Sequence, residues 1–573
     1  MMMFLRSSRD TIRKTYTGAG WALSFLTTEV RGLQAAAYIL ALSSLFSSLL
    51  ALLRDRILAN MFGAGSTLDI YYAAFRIPDA VFIGIGALVS AYMLIPELAR
   101  RDEAAQTRYL DSVIGGFAAL VTVVSLVAAW AAPTILVRTF PALVAQGSLD
   151  ELIALTRILL FQAALLGFSN IAAAVTQFKH RYALYALSPI VYNLGIIFGA
   201  YVLYPILGLS GLAWGVVIGA AFHFGIQVPS IVSDGFFRHL PQSSELSAFL
   251  ETVRLSLPRA LALSMNQIAF FALLALAGTL SAGSISVFMF AYNLQGVPLA
   301  IIGASYATAA FPTLAYAFSQ GKSDVFLTQM GIAARQIIFW SLPAIALMIV
   351  LRAHVVRAVL GSGAFDWTDT RLTAAALALF AISLAAQGIS LLLIRACYAS
   401  GKTLVPFVIS GLSSALMIFL GVQFLSLSEY QASADFLETF LRVEDLLGTQ
   451  ILALALAYSL ASLISAFALT IYFQFRFGTF FMEIGRSLGE GFMAAFAAAA
   501  ASYSTLHVIG DISLSSTFLS VLLKGGTAGL VGCAAAAFAY FLLGNREYGE
   551  NALALRRRIW KDVEPVTSAE QTA

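Results

Sequence analysis

Charged residues that interrupt apolar runs are the first candidates for chemistry in this 573-residue sequence. Arg54 and Asp55 follow directly on an uncharged run that begins at Gln34, and Arg259 follows Pro258 within another apolar stretch. A guanidinium group forms bidentate hydrogen bonds with phosphate and stays charged in apolar surroundings. Because ionisable groups inside apolar spans are usually functional, these arginines predict a binding site for an anion.

Further polar residues fit the same site, and helical spacing places Asn266 on the stripe of Arg259, with Gln267 beside it. The candidate substrate-binding residues are Arg54, Arg259, Asp55, Asp69, Asn293, Gln267 and Arg76. Structural interpretations stay open for three of them. Arg54 could pair with Asp55 or Asp69 to tie a corner together, Arg259 could extend to lipid headgroups, and Asp69 could cap a helix.

Residue patterns that mark enzymes and metal sites are absent from the sequence. Cys397 and Cys533 lack metal-ligand or CxxC spacing, and the five histidines lack HExxH spacing. We find no paired carboxylates, nucleophile elbow or ATP-binding signature within the apolar runs. The sequence therefore predicts no enzyme, metal or cofactor, and its net charge of +4 is too dispersed for a nucleic-acid surface.

The composition indicates which solvent surrounds these residues. Hydrophobic residues make up 60% of the chain, charged residues 11%, and the mean hydropathy is +0.85. Soluble domains are about a quarter charged, so the bilayer must be the main solvent of this chain. A helix needs roughly 20 apolar residues to cross the hydrocarbon, and this criterion predicts an all-α membrane protein with about fourteen transmembrane helices.

The spans divide the chain into five predicted segments. They are a basic amphipathic segment at 1–33, an N-lobe of six spans at 34–232, a C-lobe of six spans at 246–475, two further spans at 483–543, and a basic, polar tail at 544–573. Lys and Arg concentrate in alternate loops, while the loop at 426–448 is acidic. The positive-inside rule therefore predicts that both termini are cytoplasmic.

An internal repeat supports the two-lobe division. Residues 63–98 and 281–315 each contain a small-residue turn, an aromatic stretch, a proline, a glycine-containing segment and a second proline, in that order. Matched breaks in corresponding halves are typical of transporters built from duplicated lobes. Kinked, glycine-bearing helices beside a charged corner suit the wall of a water-filled cavity.

Six motifs then resemble one known family, in order along the chain. They are "RDRILANMFGAGSTLDIYYAAFRIPD" (54–79), "AAPTILVRTFP" (131–141), "RYALYALSPIVYN" (181–193), "LAWGVVIG" (212–219), "GSGAFDWTD" (361–369) and "IRACYASGKTLVP" (394–406). In this order they resemble the MurJ (MviN) lipid II flippases of the MOP exporter superfamily. Arg54 matches a cavity arginine of that family.

The resemblance implies a particular fold, cargo and location. It implies two pseudo-symmetric six-helix lobes that form a V around a central cavity, and two C-terminal helices. It implies alternating-access export of an undecaprenyl-pyrophosphate-linked sugar-peptide across the bacterial cytoplasmic membrane, among membrane lipids and cell-wall synthesis proteins. The energy would come from the membrane potential or a cation gradient.

The chain departs from the family pattern at four positions. Ser48, Phe82 and Asn293 stand where the family has arginines, and Ala87 stands where it has a glutamate. Two alternatives therefore stay open: a MOP-family transporter of another cargo, such as a polysaccharide precursor or a drug, and a non-transporting scaffold of envelope synthesis. The scaffold would use the acidic loop and the basic tail as its working surfaces.

Overall fold

The computed structural model describes residues 33–559, except 180, 234, 237–245, 403, 429, 479, 511, 514 and 515. Within this range it also leaves some side chains undescribed, those of residues 33–41 and of Arg259 among them. The predicted amphipathic segment at 1–33 therefore lies almost entirely outside the description. So does the end of the predicted tail, from residue 560 onwards.

The described residues fold into helices joined by short turns and contain no strand. Eleven helices are long and apolar enough to cross a membrane, or twelve if the pair Trp367–Ile382 and Leu384–Ala399, bent by 43°, is one span. The prediction of an all-α, multi-span protein is thus confirmed, whereas the count of about fourteen stays a prediction.

The first half of the described chain, up to residue 233, contains eleven α-helices and two short helical turns. They are α1 (Leu33–Phe62), α2 (Ser66–Ala74), α3 (Arg76–Gly86), a 3-10 turn (Ala87–Val89), α4 (Ala91–Ala99), α5 (Glu103–Thr139), α6 (Pro141–Ala145), α7 (Leu149–Phe178), α8 (Tyr182–Phe198), a π-helical turn (Gly199–Leu203), α9 (Tyr204–Leu207), α10 (Leu209–Gly225) and α11 (Val228–Ser233).

Helices of the second half follow residue 245. They are α12 (Leu246–Ala277), α13 (Ser284–Pro298), a π-helical turn (Leu299–Ala304), α14 (Ser305–Ser319), α15 (Ser323–Val350), α16 (Arg352–Val359), α17 (Trp367–Ile382), α18 (Leu384–Ala399), α19 (Leu404–Leu427), α20 (Gln431–Leu441), α21 (Ile451–Phe477), α22 (Phe480–Ile509), α23 (Phe518–Leu542) and α24 (Arg546–Ile559).

The two copies of the internal repeat are both interrupted helices. The first copy breaks at Phe75 and again at Ser90, which follows the 3-10 turn. The second passes through the π-helical turn Leu299–Ala304. Such breaks expose backbone groups and are frequent at functional sites.

The chain forms two compact units. Of the described residues, the first unit comprises those up to 294, with 359–376 and 403–461, and the second comprises 295–358, 377–402 and those from 462 onwards. Each unit groups residues that contact one another and does not correspond to a set of consecutive spans. The predicted lobes at 34–232 and 246–475 therefore stay a prediction.

Close packing in the first unit depends on glycine. A Cβ on Gly195 of α8 would lie 2.2 Å from the Cα of Gly219 in α10, and one on Gly199 would lie 2.6 Å from the Cα of Gly215. Helices in a membrane associate by such close contact because water supplies no hydrophobic driving force there.

A buried polar network joins the C-terminal helix to the second unit. Glu547 of α24 accepts a hydrogen bond from Arg335 Nε of α15 at 2.7 Å, and the two side chains are only 5% and 13% exposed. Asn545 donates to Glu490 of α22 at 2.6 Å, and Asn551 donates to Gln336 at 3.1 Å. The segment predicted as a polar tail therefore begins with a docked helix.

We expect Glu547→Ala to destabilise the protein by about 3 kcal/mol, because it removes one partner of a buried ion pair. Glu550→Ala is the matched control, since Glu550 pairs with Arg546 on the exposed face of the same helix and such pairs contribute less than about 1 kcal/mol. Thermal unfolding in detergent measures both. Equal losses for the two variants would contradict a structural role for the buried pair.

The acidic segment predicted as an outer loop contains helix α20. Arg371 of α17 donates to both carboxylate oxygens of Asp445 at 2.6 Å and to the carbonyl of Arg442 at 2.7 Å. The bonds from Arg371 hold the pKa of Asp445 below its ordinary value. This contact fixes the residues that follow α20, while Glu429 lies outside the description.

Candidate functional site

Arg54 and Asp55 form the centre of a polar cluster in the first unit. The Nε and Nη2 atoms of Arg54 donate to Asp55 Oδ1 at 3.0 and 2.7 Å. The Arg54 side chain is 21% exposed, whereas that of Asp55 is 3% exposed. Of the two partners proposed for Arg54 from the sequence, the structure selects Asp55.

Two asparagines complete the cluster. Arg54 Nη1 donates to Asn193 Oδ1 at 3.1 Å, and Asn293 Nδ2 donates to Asp55 Oδ2 at 3.0 Å. The cluster therefore joins α1 to α8 and α13. A guanidinium has five N–H groups, and these bonds engage three of them, so Arg54 keeps donors for an anion.

Tyrosines surround this cluster. Tyr71 and Tyr72 of α2 are buried, and their rings lie 5.5 Å apart. The Tyr72 hydroxyl is buried without a hydrogen-bond partner among the described residues. Buried polar groups are nearly always paired, so an unpaired hydroxyl indicates a place where a polar ligand can bind.

Arg76 is almost fully buried in the same unit. Its Nε atom donates to the carbonyl of Tyr72 at 3.1 Å, its Nη2 atom lies 3.2 Å from Asp79, and its guanidinium lies 5.8 Å from the ring centroid of Phe270. These contacts neutralise the cation. Its predicted role in binding stays a prediction.

Asp69 caps a helix, but not the helix that contains it. Helix α2 begins after Gly65 without a side-chain cap. Asp69 instead accepts bonds at the start of α13, from the amide of Gly283 at 2.7 Å and from the amide and hydroxyl of Ser286 at 2.8 and 2.6 Å. The first turn of a helix has free N–H groups and a partial positive charge, which a buried carboxylate satisfies.

More contacts hold the same corner closed. The amide of Ala64 donates to Asp369 at 3.0 Å, the amide of Ala364 donates to the carbonyl of Asn60 at 2.9 Å, and Arg56 donates to the carbonyl of Val359 at 3.1 Å. Together with the Asp69 bonds to residues 283–286, these contacts form what we term the corner latch. All of its members belong to the first unit.

The remaining predicted residues are less informative. Gln267 is half-buried, and its neighbour Asn266 accepts from Ser414 at 3.4 Å. The side chain of Arg259 lies outside the description, so its place in the site stays a prediction. At the positions that depart from the family pattern, Ser48, Phe82 and Ala87 are each half-buried.

The chain matches one known protein family over most of its length. The family model described as lipid II flippase MurJ matches residues 58–523. The chain belongs to the MurJ family. It is therefore a transporter rather than an enzyme and, given its candidate spans, a multi-pass protein of the inner membrane, as the sequence predicted.

Several curated MurJ relatives cover most of the chain. The probable lipid II flippase MurJ of Thermotoga maritima is 29% identical over 390 residues, which are 67% of this chain and 77% of that protein. The lipid II flippase MurJ of Burkholderia cenocepacia is 23% identical over 356 residues, 60% of this chain and 68% of that protein.

Solved structures show the same fold at low identity. A lipid II flippase MurJ in an inward closed conformation matches with a TM-score of 0.69 and 19% identity, over 88% of this chain and 99% of that one. An inward-facing MATE multidrug transporter of the MOP superfamily matches with a TM-score of 0.60 and 15% identity, over 76% and 95%. The family model thus confirms the MurJ assignment, and these structures show the fold.

Proposed function

We propose that this MurJ-family chain moves a lipid-linked peptidoglycan precursor, an undecaprenyl-pyrophosphate-linked sugar-peptide, across the cytoplasmic membrane by alternating access. The curated relatives that it matches carry the name lipid II flippase. The observation on which the proposal depends is the Arg54 cluster, a partly exposed guanidinium with free donors beside a buried, unpaired tyrosine hydroxyl.

The diphosphate group of the cargo is the natural ligand of Arg54. An anion in a site of low dielectric constant needs a charged, hydrogen-bonding partner. When the diphosphate approaches, Arg54 can exchange its bond with Asn193 for bonds with phosphate and retain Asp55 as a buried support. Asp55 keeps its own bond to Asn293, so the exchange leaves no carboxylate unpaired.

The corner latch is the element that alternates. With both termini in the cytoplasm, the corner between α1 and α2 lies at the outer face, and the latched state exposes the site to the inside. Export then requires the Asp69, Asn60, Ala64 and Arg56 contacts to break together. A cargo drives this change only as far as it binds the open state more tightly than the closed state.

Complementation of a MurJ-depleted bacterium tests this function. We expect the native chain to restore growth, and Arg54→Ala to fail at equal membrane expression because the cargo diphosphate loses its cation. Arg100→Ala is the matched control, since the Arg100 side chain is 76% exposed and, among the described residues, pairs with the nearby Glu97.

Two outcomes would contradict the proposal in different ways. Failure of the expressed native chain would indicate another cargo, the first alternative left open by the sequence. Equal rescue by the native chain and Arg54→Ala would remove Arg54 from the mechanism. Contacts with cell-wall synthesis proteins stay a prediction that neither outcome tests.

A further inference from the structure

A recess lies in the first unit, lined by none of the residues of the Arg54 cluster. It has a volume of about 430 Å³ and lies among the end of α3, the 3-10 turn, α4, α7 and α8. Its lining residues are Gly86, Ala87, Ser90, Ala91, Ile95, Asn170, Ala173, Gln177 and Tyr185. Small-molecule sites usually occupy roughly 300–1,000 Å³, so the recess is large enough for part of a cargo headgroup.

The space exists because small residues line one wall. Gly86, Ala87 and Ala91 stand on the broken helix α3–α4, and Ala173 stands opposite on α7. Larger side chains there would fill the recess. The extended backbone of Ser90 separates the 3-10 turn from α4, so Ser90 stands at the break in this wall.

The polar groups of the recess are uncharged amides and hydroxyls. Asn170 Nδ2 donates to the carbonyl of Gly86 at 3.4 Å, and Gln177 Nε2 donates to the carbonyl of Ala173 at 3.1 Å. These bonds leave Asn170 Oδ1 and Gln177 Oε1 without a donor among the described residues, together with the Ser90 hydroxyl. Each amide nitrogen also has a second N–H group that these bonds do not use, so the recess offers a ligand both neutral donors and neutral acceptors.

The charge of the recess narrows the ligand class. None of its described lining residues is charged. A phosphate would enter this recess without a cationic partner, and an ammonium group would enter it without a carboxylate partner. Both are costly away from water. Sugar hydroxyls and acetamido groups are neutral donors and acceptors, and the ring of Tyr185 in the lining gives the sugar ring an apolar face.

The position of the recess suits a second part of the same cargo. Ser90 follows Asp79 by eleven residues of largely helical chain, which span roughly 16 Å at the helical rise. Asp79 pairs with Arg76 beside Tyr72. A headgroup whose diphosphate lies at Arg54 could thus extend along α3 towards the recess.

We infer that this recess binds the neutral sugar portion of the lipid-linked cargo through Asn170, Gln177 and Ser90. The inference rests on the proposed function and adds a specificity site to it. In this arrangement Arg54 recognises the diphosphate that all such lipids share, and the recess recognises the sugar that distinguishes a finished precursor from its carrier.

Equilibrium binding to the full chain in phosphatidylcholine nanodiscs tests the inference with two probes, undecaprenyl pyrophosphate and lipid II. We expect the native chain to bind lipid II about tenfold more tightly, which corresponds to one or two net hydrogen bonds. Asn170→Ala/Gln177→Ala should abolish this preference and leave the affinity for undecaprenyl pyrophosphate within about twofold. Gln146→Ala, at an exposed glutamine after α6, is the matched control.

A second variant, which fills the recess, distinguishes loss of the binding site from loss of folding. Ala91→Leu removes no hydrogen bond but occupies the recess, so it should lower lipid II binding in the same selective way. Equal weakening of both lipids, or a native chain that binds both equally, would overturn the inference alone. A native chain that binds neither lipid would contradict the proposed function as well.

Discussion

Replacing Asp69 by alanine is expected to open the corner latch and to abolish growth in a MurJ-depleted strain. The variant removes the acceptor for three donors at the start of α13, the amides of Gly283 and Ser286 and the Ser286 hydroxyl. Each buried donor left unpaired costs about 1–3 kcal/mol. In the open state these donors can bind water, so the substitution destabilises the latched state and not the open state.

The expected shift can be measured directly. A loss of about 3 kcal/mol changes the ratio of latched to open molecules roughly a hundredfold. Asn293→Cys, in a chain without Cys397 and Cys533, places a thiol beside Asp55. With Asp69→Ala, its labelling by a membrane-impermeant maleimide added outside should accelerate at least about tenfold.

Conservative and control variants separate the latch from general damage. Asp69→Asn keeps one oxygen for the two Ser286 donors and loses only the acceptor for Gly283, so its labelling rate should lie between those of the native chain and Asp69→Ala. Asp324→Ala removes an exposed aspartate from the first turn of α15 and should change nothing. An unchanged labelling rate in Asp69→Ala would show that other contacts keep the corner closed.

The sequence predicted the fold class well because membrane solvent imposes strong rules. Apolar runs must become helices when no water can satisfy the backbone, and eleven or twelve such spans are present among the described residues. Small-residue packing was also predictable. In the alanine-rich run at 491–503, Ala494 and Ala498 are fully buried in the second unit.

Site residues were harder to predict because their partners are distant in sequence. Arg54 and Asp55 stood out as charges after an apolar run, but Asn193 did not, although it ends the quoted motif "RYALYALSPIVYN". Its amide meets Arg54 across 139 residues. Residue types alone do not indicate such a pairing. The position of a polar residue within a family motif does indicate that it contributes to the site.

Asp69 shows the same limit in a sharper form. Its position near the start of α2 indicated a cap, and capping was the correct chemistry. The capped helix, however, lies 214 residues away at Gly283. Local spacing shows which kind of hydrogen bond a side chain can make, but only the tertiary fold shows which group is its partner. The internal repeat gave a clue, because it aligned the turn before α2 with the turn before α13.

Replacing Gly283 by alanine should open the same latch by steric means. Its backbone has a φ of +91°, and a Cβ there would lie 2.1 Å from the carbonyl oxygen of Ala64. A backbone atom cannot move aside as a flexible side chain can, so the α2 and α13 turns must separate. Strain of this kind costs about 1–3 kcal/mol before the clash is added, and we expect complementation to fail and external labelling at residue 293 to accelerate as in Asp69→Ala.

Gly235→Ala provides the control that isolates the clash from the strain. Gly235 has the same φ of +91°, but a Cβ there would meet no atom of the described residues within 4 Å. It should therefore lower thermal stability modestly and leave external labelling and growth unchanged. If both alanine variants behaved alike, backbone strain rather than the contact with Ala64 would explain the effect of Gly283→Ala. If Gly283→Ala accelerates labelling and Gly235→Ala does not, then Asp69→Ala and Gly283→Ala will have opened the same corner, one by removing hydrogen-bond acceptors and the other by a steric clash. Neither a folding defect nor the loss of one hydrogen bond can explain that result.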